Sequence, residues 1–132
     1  MPDETPAVSK TALWTGYLMS ALPLLALVAS AVMKLTKGAA VVQGFAHFGY
    51  SEAVIVPLGV TEIACSVLYA IPRTSVLGAI LITGYLGGAT ATTFRLGEGF
   101  LPTIILGILV WGGLFMRDSR LRALIPLRAP QK

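Results

Sequence analysis

Residues 53–71 read AVIVPLGVTEIACSVLYAI, an apolar run long enough to cross a bilayer and broken by one acid, Glu62, close to its middle. A span needs about 20 apolar residues, with a working range of about 17–25. An acidic residue at the centre of such a helix costs roughly 2.5–3.5 kcal/mol on insertion scales. Glu62 therefore has to be faced by something polar, or to hold its proton. Working outward, three further apolar runs follow the same rule: 12–33, 76–94 and 101–116, the last shorter than the others.

The whole chain agrees with its runs. It has 132 residues, 55% hydrophobic and 12% charged, with a mean hydropathy of +0.79. That composition lies outside the usual range of soluble domains. Backbone groups in hydrocarbon must be satisfied within the segment, which favours helices for runs this long. The expectation is one integral membrane domain, all-α, a four-transmembrane-helix bundle with spans near 12–34, 53–71, 76–94 and 101–116. Residues 1–10 form a loose tail and 117–132 a basic one. Between the first two spans, AAVVQGFAHFGYS repeats its apolar positions Val41, Val42, Phe45 and Phe48 at helical spacing. It is too short to span, so a short amphipathic helix is expected there, interfacial or re-entrant.

Charge sets an expected orientation. Lys10, Arg73, Arg117, Arg120, Arg122, Arg128 and Lys132 fall on one side of such a bundle; Lys34, Lys37 and Arg95 fall on the other. The positive-inside rule then places both termini in the cytoplasm of a multi-pass cell-membrane protein. The net charge of +4 reads as a topology signal and a handle for anionic lipid. No basic patch is interleaved with aromatics, which argues against nucleic acid. Ala29-Ser30-Ala31 resembles a signal-peptidase site, but Asp3, Glu4 and the length of the first run speak against a cleaved leader.

Several local features shape the bundle. Pro23 interrupts the first span and frees a carbonyl, which Ser20 one turn earlier is placed to satisfy. Ser51 and Glu52 make a good start for the second span. Pro72-Arg73-Thr74-Ser75 is a tight link that makes the second and third spans antiparallel neighbours. Gly84 and Gly88, with Gly87 beside them, give the third span rows of small residues whose usual meaning is helix packing. Leu121, Leu124 and Ile125 of the tail are able to lie on the inner leaflet among arginines.

The candidate site is built around Glu62. Gly59, Ser66 and Tyr69 share its helical face, and the antiparallel third span brings Thr83, Gly84 and Tyr85 level with it. Tyr85 or Thr83 is then placed to hydrogen-bond the acid. No cation falls at that depth: Lys34 lies 11 residues past Pro23, roughly 16 Å along a helix, and reaches inward only by snorkelling. Glu62 is expected to keep its proton unless Lys34 or His47 comes close. Those two form the expected mouth, an acid–base cluster if they converge. The alternative for Glu62 is a hydrogen-bonded acid that pins two helices. His47 is the only histidine and Cys65 the only cysteine, so no metal ligand set can be assembled.

The segments FAHFGYSEAVIVPLGVTEIACSVLYAIPR, LGAILITGYLGGATATTFRLGEG and LFMRDSRLRALIPLR together resemble the DoxX-like family of small bacterial four-helix membrane proteins. The more specific pieces are Gly49-Tyr50, the G-x-x-E ending at Glu62, Ile71-Pro72-Arg73, Gly84 to Gly88 and the arginine-rich tail. The first-span ending Ser30 to Leu35 is similar to the family's small residues followed by lysine. Ala31 stands where glycine is common, and Ser51 where proline often follows Gly-Tyr. The resemblance implies a subunit linked to quinone-dependent thiosulfate oxidation or to redox-defence partners, and quinone as a cofactor rests on it alone. The residues themselves point to a lipophilic small-molecule pocket at Glu62, suited to proton-transfer (isomerase- or cyclase-like) chemistry, and quinone-linked chemistry is what the resemblance adds. The other reading is a non-catalytic subunit that docks a membrane partner, or a second copy, through the third span.

Overall fold

The computed structural model describes residues 8–128 and 130. Residues 1–7 of the loose N-terminal tail expected over 1–10, and Lys132 of the basic tail, lie outside the described residues, and the helix already begins at Lys10. The chain forms α1 (Lys10–Leu35), α2 (Ala39–His47), α3 (Ile55–Ala70), α4 (Ser75–Arg95), α5 (Leu101–Arg117) and the short α6 (Ser119–Arg122). Two 3-10 turns, Glu52–Val54 and Pro72–Thr74, lead into α3 and α4. Each long helix has two neighbours: α1 packs on α5 and α3, α3 on α4, and α4 on α5. The result is a closed four-helix bundle with α2 between α1 and α3.

Local chemistry explains the boundaries. Ser9 caps α1 by accepting from the Ala12 N–H at 3.2 Å. The helix stops because Lys37 turns to a φ of 48° before Gly38, and Gly49, at a φ of 83°, follows the end of α2. Ser51 accepts from the Ala53 N–H at the start of the turn into α3. At the α3–α4 link, Ser75 Oγ donates to the Tyr69 and Ile71 carbonyls at 2.8 and 2.9 Å, and Thr74 Oγ1 donates to Leu68 O at 2.7 Å. Those hydroxyls serve the Leu68 and Tyr69 carbonyls at the end of α3, where Pro72 offers no N–H, and add to the Thr74 N–H that Ile71 O already accepts.

The interior of the bundle is small and polar in places, and its outside is apolar. On α1 the buried residues are Gly16, Ser20, Pro23, Leu27, Ala31 and Lys34, a stripe at steps of three and four. On α3 they are Ile55, Gly59, Glu62, Cys65, Ser66 and Tyr69. The opposite faces expose Leu18, Leu22 and Leu25 of α1, and Ile104, Ile105 and Ile108 of α5. A helix apolar on its outer face as well belongs in lipid. Three helical segments, Lys10–Leu35, Glu52–Ala70 and Pro72–Arg95, are long and apolar enough to cross a membrane. The fourth, α5, is a shorter apolar helix of 17 residues, about 25 Å. The chain is a multi-pass membrane protein.

Four glycines set the helix crossings. A Cβ on Gly78 would lie 2.3 Å from the Tyr69 nitrogen, so the first turn of α4 rests directly on the last turn of α3. Gly113 meets the Gly16 carbonyl and Ser20, locking α5 to α1, and Gly59 meets Ala31 and Lys34. The third-span glycines are different. Gly84, Gly87 and Gly88 have nothing within 4 Å of a Cβ position, so among the described residues the packing role expected for them is not used.

Two further expectations are corrected here. Ser20 does not serve the carbonyl freed by Pro23. Tyr69 donates its single hydroxyl proton to Val110 O at 2.7 Å, so Ser20 Oγ, 2.8 Å away, must donate to Tyr69. Leu121 does not lie on the leaflet. It is buried in the core with Leu27, Tyr69 and Leu114, while Leu124, Ile125 and Leu127 are exposed.

Candidate functional site

Glu62 is 2% exposed, and the group that faces it is Lys34. Lys34 Nζ donates to Glu62 Oε2 at 2.9 Å and to Ser30 Oγ at 2.5 Å; Ser30 Oγ in turn donates to Glu62 Oε2 at 3.3 Å. The absence of a cation at Glu62's depth is thereby overturned. Midpoint matching failed for two reasons. The helical Cα–Cβ bond leans toward the helix N-terminus, so a lysine near the end of α1 points back into the bundle. Gly59, one turn before Glu62, also lets α3 approach α1 so closely that its Cβ position lies 3.1 Å from Lys34 Cβ and 3.2 Å from Ala31 O. The expected snorkelling route is the one taken.

Beside the pair lies a cavity of about 500 Å3, lined by Lys34, Phe45, Phe48, Tyr50, Leu58, Gly84, Tyr85, Gly88 and Thr92 among others. Glu62 is not on its wall; it stands behind Lys34. Lys34 is therefore the charged group that the cavity meets. The Tyr85 ring centre is 5.9 Å from Lys34 Nζ and that of Phe45 is 6.0 Å, a distance at which an ammonium is attracted by ring faces. The hydrogen bonds that Glu62 accepts come from Lys34 and Ser30, whereas Tyr85 lines the cavity.

The other expected residues are dispersed. Gly84 lines the cavity. Gly59 is the α1–α3 crossing rather than a wall. Tyr69 belongs to a separate polar knot with Ser20 and Val110, and the Arg117 guanidinium lies 5.7 Å from its ring centre. Ser66 is buried with no partner for its hydroxyl among the described residues. Thr83 faces α5: it donates to Ala79 O at 2.7 Å and accepts from Trp111 Nε1 at 2.6 Å, so it is no partner for Glu62.

His47 does not converge with Lys34. It pairs with Glu98 on the exposed surface, where Arg95 also donates to the Phe48 carbonyl and the Tyr50 hydroxyl meets Thr92 Oγ1 at 2.8 Å. These contacts hold α2 and the Phe48-Gly49-Tyr50 segment over the cavity, against the end of α4. Ser30 is the member that sequence reasoning missed. Its signal was there: it sits four residues before Lys34, hence one turn away on the same face.

No curated protein and no solved structure gave a significant match. A family model does match: residues 18–113 fit that of the DoxX-like family. The matched range holds Ser30, Lys34, Glu62, Tyr85 and the glycines of α4, and by that match the chain belongs to the DoxX-like family.

Proposed function

We propose that this protein holds a lipophilic small molecule in the cavity beneath α2, with Lys34 as its polar contact and Glu62 as the counter-ion that keeps Lys34 in place. One observation carries the reading: a buried Lys34–Glu62 pair stands at the edge of an otherwise aromatic and glycine-lined space of about 500 Å3. That volume falls in the range of small-molecule sites, about 300–1,000 Å3. Ionisable residues inside membrane spans mark functional sites by default. Aromatic rings from α2 and its flank, a flat glycine floor and one donor at depth are what a ligand entering from lipid requires.

If the ligand is transformed there, proton transfer is the chemistry this chain can supply. Lys34 can give a proton to a ligand oxygen and take one back from the ligand, with the Glu62 carboxylate holding the ammonium in place and the Tyr85 hydroxyl on the same wall. Quinone-linked chemistry would need the ligand itself to be the redox partner. The test is native mass spectrometry of the protein released from native-membrane nanodiscs. The expected result is a co-retained non-phospholipid molecule that disappears in Gly84→Leu and Lys34→Met; identical spectra for all three proteins would refute it.

A second reading has its own observation. Between α4 and α5 lies a groove of about 390 Å3, lined by Gly87, Leu86, Thr90, Gly107 and Ile108, with none of the described helices in it. A partner span or a second copy could seat there. Loss of a co-purifying partner or of a dimer in Gly87→Leu and Gly107→Leu, with Gly84→Leu silent, would favour docking.

A further inference from the structure

The cavity's electrostatics narrow its ligand further than lipophilicity does. Among the described residues, Lys34 is the one charged residue lining it. Its partner Glu62 is matched one to one, so the pair carries no net charge whichever of the two holds the shared proton. Of the other charged groups, His47, Glu98 and Arg95 are engaged on the exposed rim, and Lys37 and Glu52 are exposed. A further full charge placed against a neutral pair in a low-dielectric site has nothing to compensate it, and uncompensated buried charge is costly.

Hydrogen bonding points the same way. An ammonium has three donors, and two of Lys34's go to Ser30 and Glu62. Among the described residues the third has no acceptor; only the Phe45 and Tyr85 rings lie on its open side, about 6 Å off. One Lys34 donor is thus left for the cavity, the Tyr85 hydroxyl on the same wall is another, and a carbonyl-type oxygen can accept from both. The wall along α4 runs from Gly84 to Thr93, roughly 13 Å, enough for a skeleton of about ten carbons.

We infer that the site takes a neutral lipophilic molecule carrying a carbonyl-type acceptor oxygen, and discriminates against a carboxylate or an ammonium on the same skeleton. This rests on the ligand reading above and adds the ligand's charge and polar group to it.

The test uses decan-2-one, decanoate, decylammonium and decane, titrated calorimetrically at neutral pH into the full chain in nanodiscs, with empty nanodiscs subtracted. The ketone is expected to bind at least about tenfold tighter than either ion. In Glu62→Gln, Lys34 is left as an unpaired cation, and decanoate should rise to match or overtake the ketone. Tighter binding of either ion by the unsubstituted protein, or an unchanged ranking in Glu62→Gln, overturns the inference while leaving a lipophilic site in place. If Glu62→Gln does not fold, Lys34→Met replaces it: the ketone's advantage over decane should vanish, and its persistence overturns the proposal. Failure of all four probes to bind the folded protein overturns the ligand reading and this inference with it.

Discussion

A carboxylate buried in a membrane bundle survives only if its charge is met, and in this chain Lys34 meets it with help from Ser30. The sign of a substitution there depends on what is left behind. Glu62→Ala strands a buried ammonium and should cost about 3–5 kcal/mol, whereas Lys34→Met with Glu62→Leu removes both charges and should recover most of that loss. Reversible denaturation in mixed micelles reads both. The second polar knot gives a smaller number. Tyr69→Phe deletes the donor to Val110 O and orphans Ser20, for an expected loss of about 1–3 kcal/mol in the same assay. Glu62 itself was legible in the sequence as the anomaly in its span. Lys34 was named but placed at the mouth, because counting residues from span midpoints ignores how far a lysine stem reaches back along its own helix. His47 looked equivalent to Lys34 in sequence, yet it lies past Gly38 on a separate helix, and Glu98 claims it.

Among the elements, glycine carries two opposite meanings that spacing alone cannot separate. Gly78 and Gly59 sit under a neighbouring helix, and Gly84 and Gly88 sit under open space. Gly78→Ala is expected to cost about 3 kcal/mol or more, since the atoms in the way are α3 backbone and cannot give. Gly84→Ala should leave thermal stability unchanged or raise it by up to about 1 kcal/mol through helix propensity, while lowering ligand retention. The sequence offered G-x-x-x-G as a packing motif. Which glycines pack is decided by the order of helices around the bundle, and that order is a tertiary fact. The helices themselves, their antiparallel link at Pro72 and the short α2 were readable, because each rests on local signals: an apolar run, a proline, a glycine stop.

Across the described residues, long apolar side chains cover the outside of the bundle as well as filling its core, with Lys34 and Glu62 the buried charges, which is why the four-helix plan could be read from composition before any contact was known. Orientation is a proposal resting on the basic residues at the α1 and α5–α6 ends. In a Cys65→Ser background, cysteines at Gln43 and Ser119 should label from opposite sides, Ser119 from the cytoplasm; labelling from one side would refute the topology. The claim on which site, cavity and ligand class all depend is the Lys34–Glu62 contact between α1 and α3 in lipid. Among the described residues, it is the only lysine–carboxylate ion pair. Solid-state NMR of the protein in bilayers, with lysine 15Nζ and glutamate 13Cδ labels, therefore reads it without assignment. One strong dipolar coupling is expected, equivalent to a separation under about 4 Å and abolished by Lys34→Met. A spectrum with no such coupling, or one that survives Lys34→Met, would contradict it.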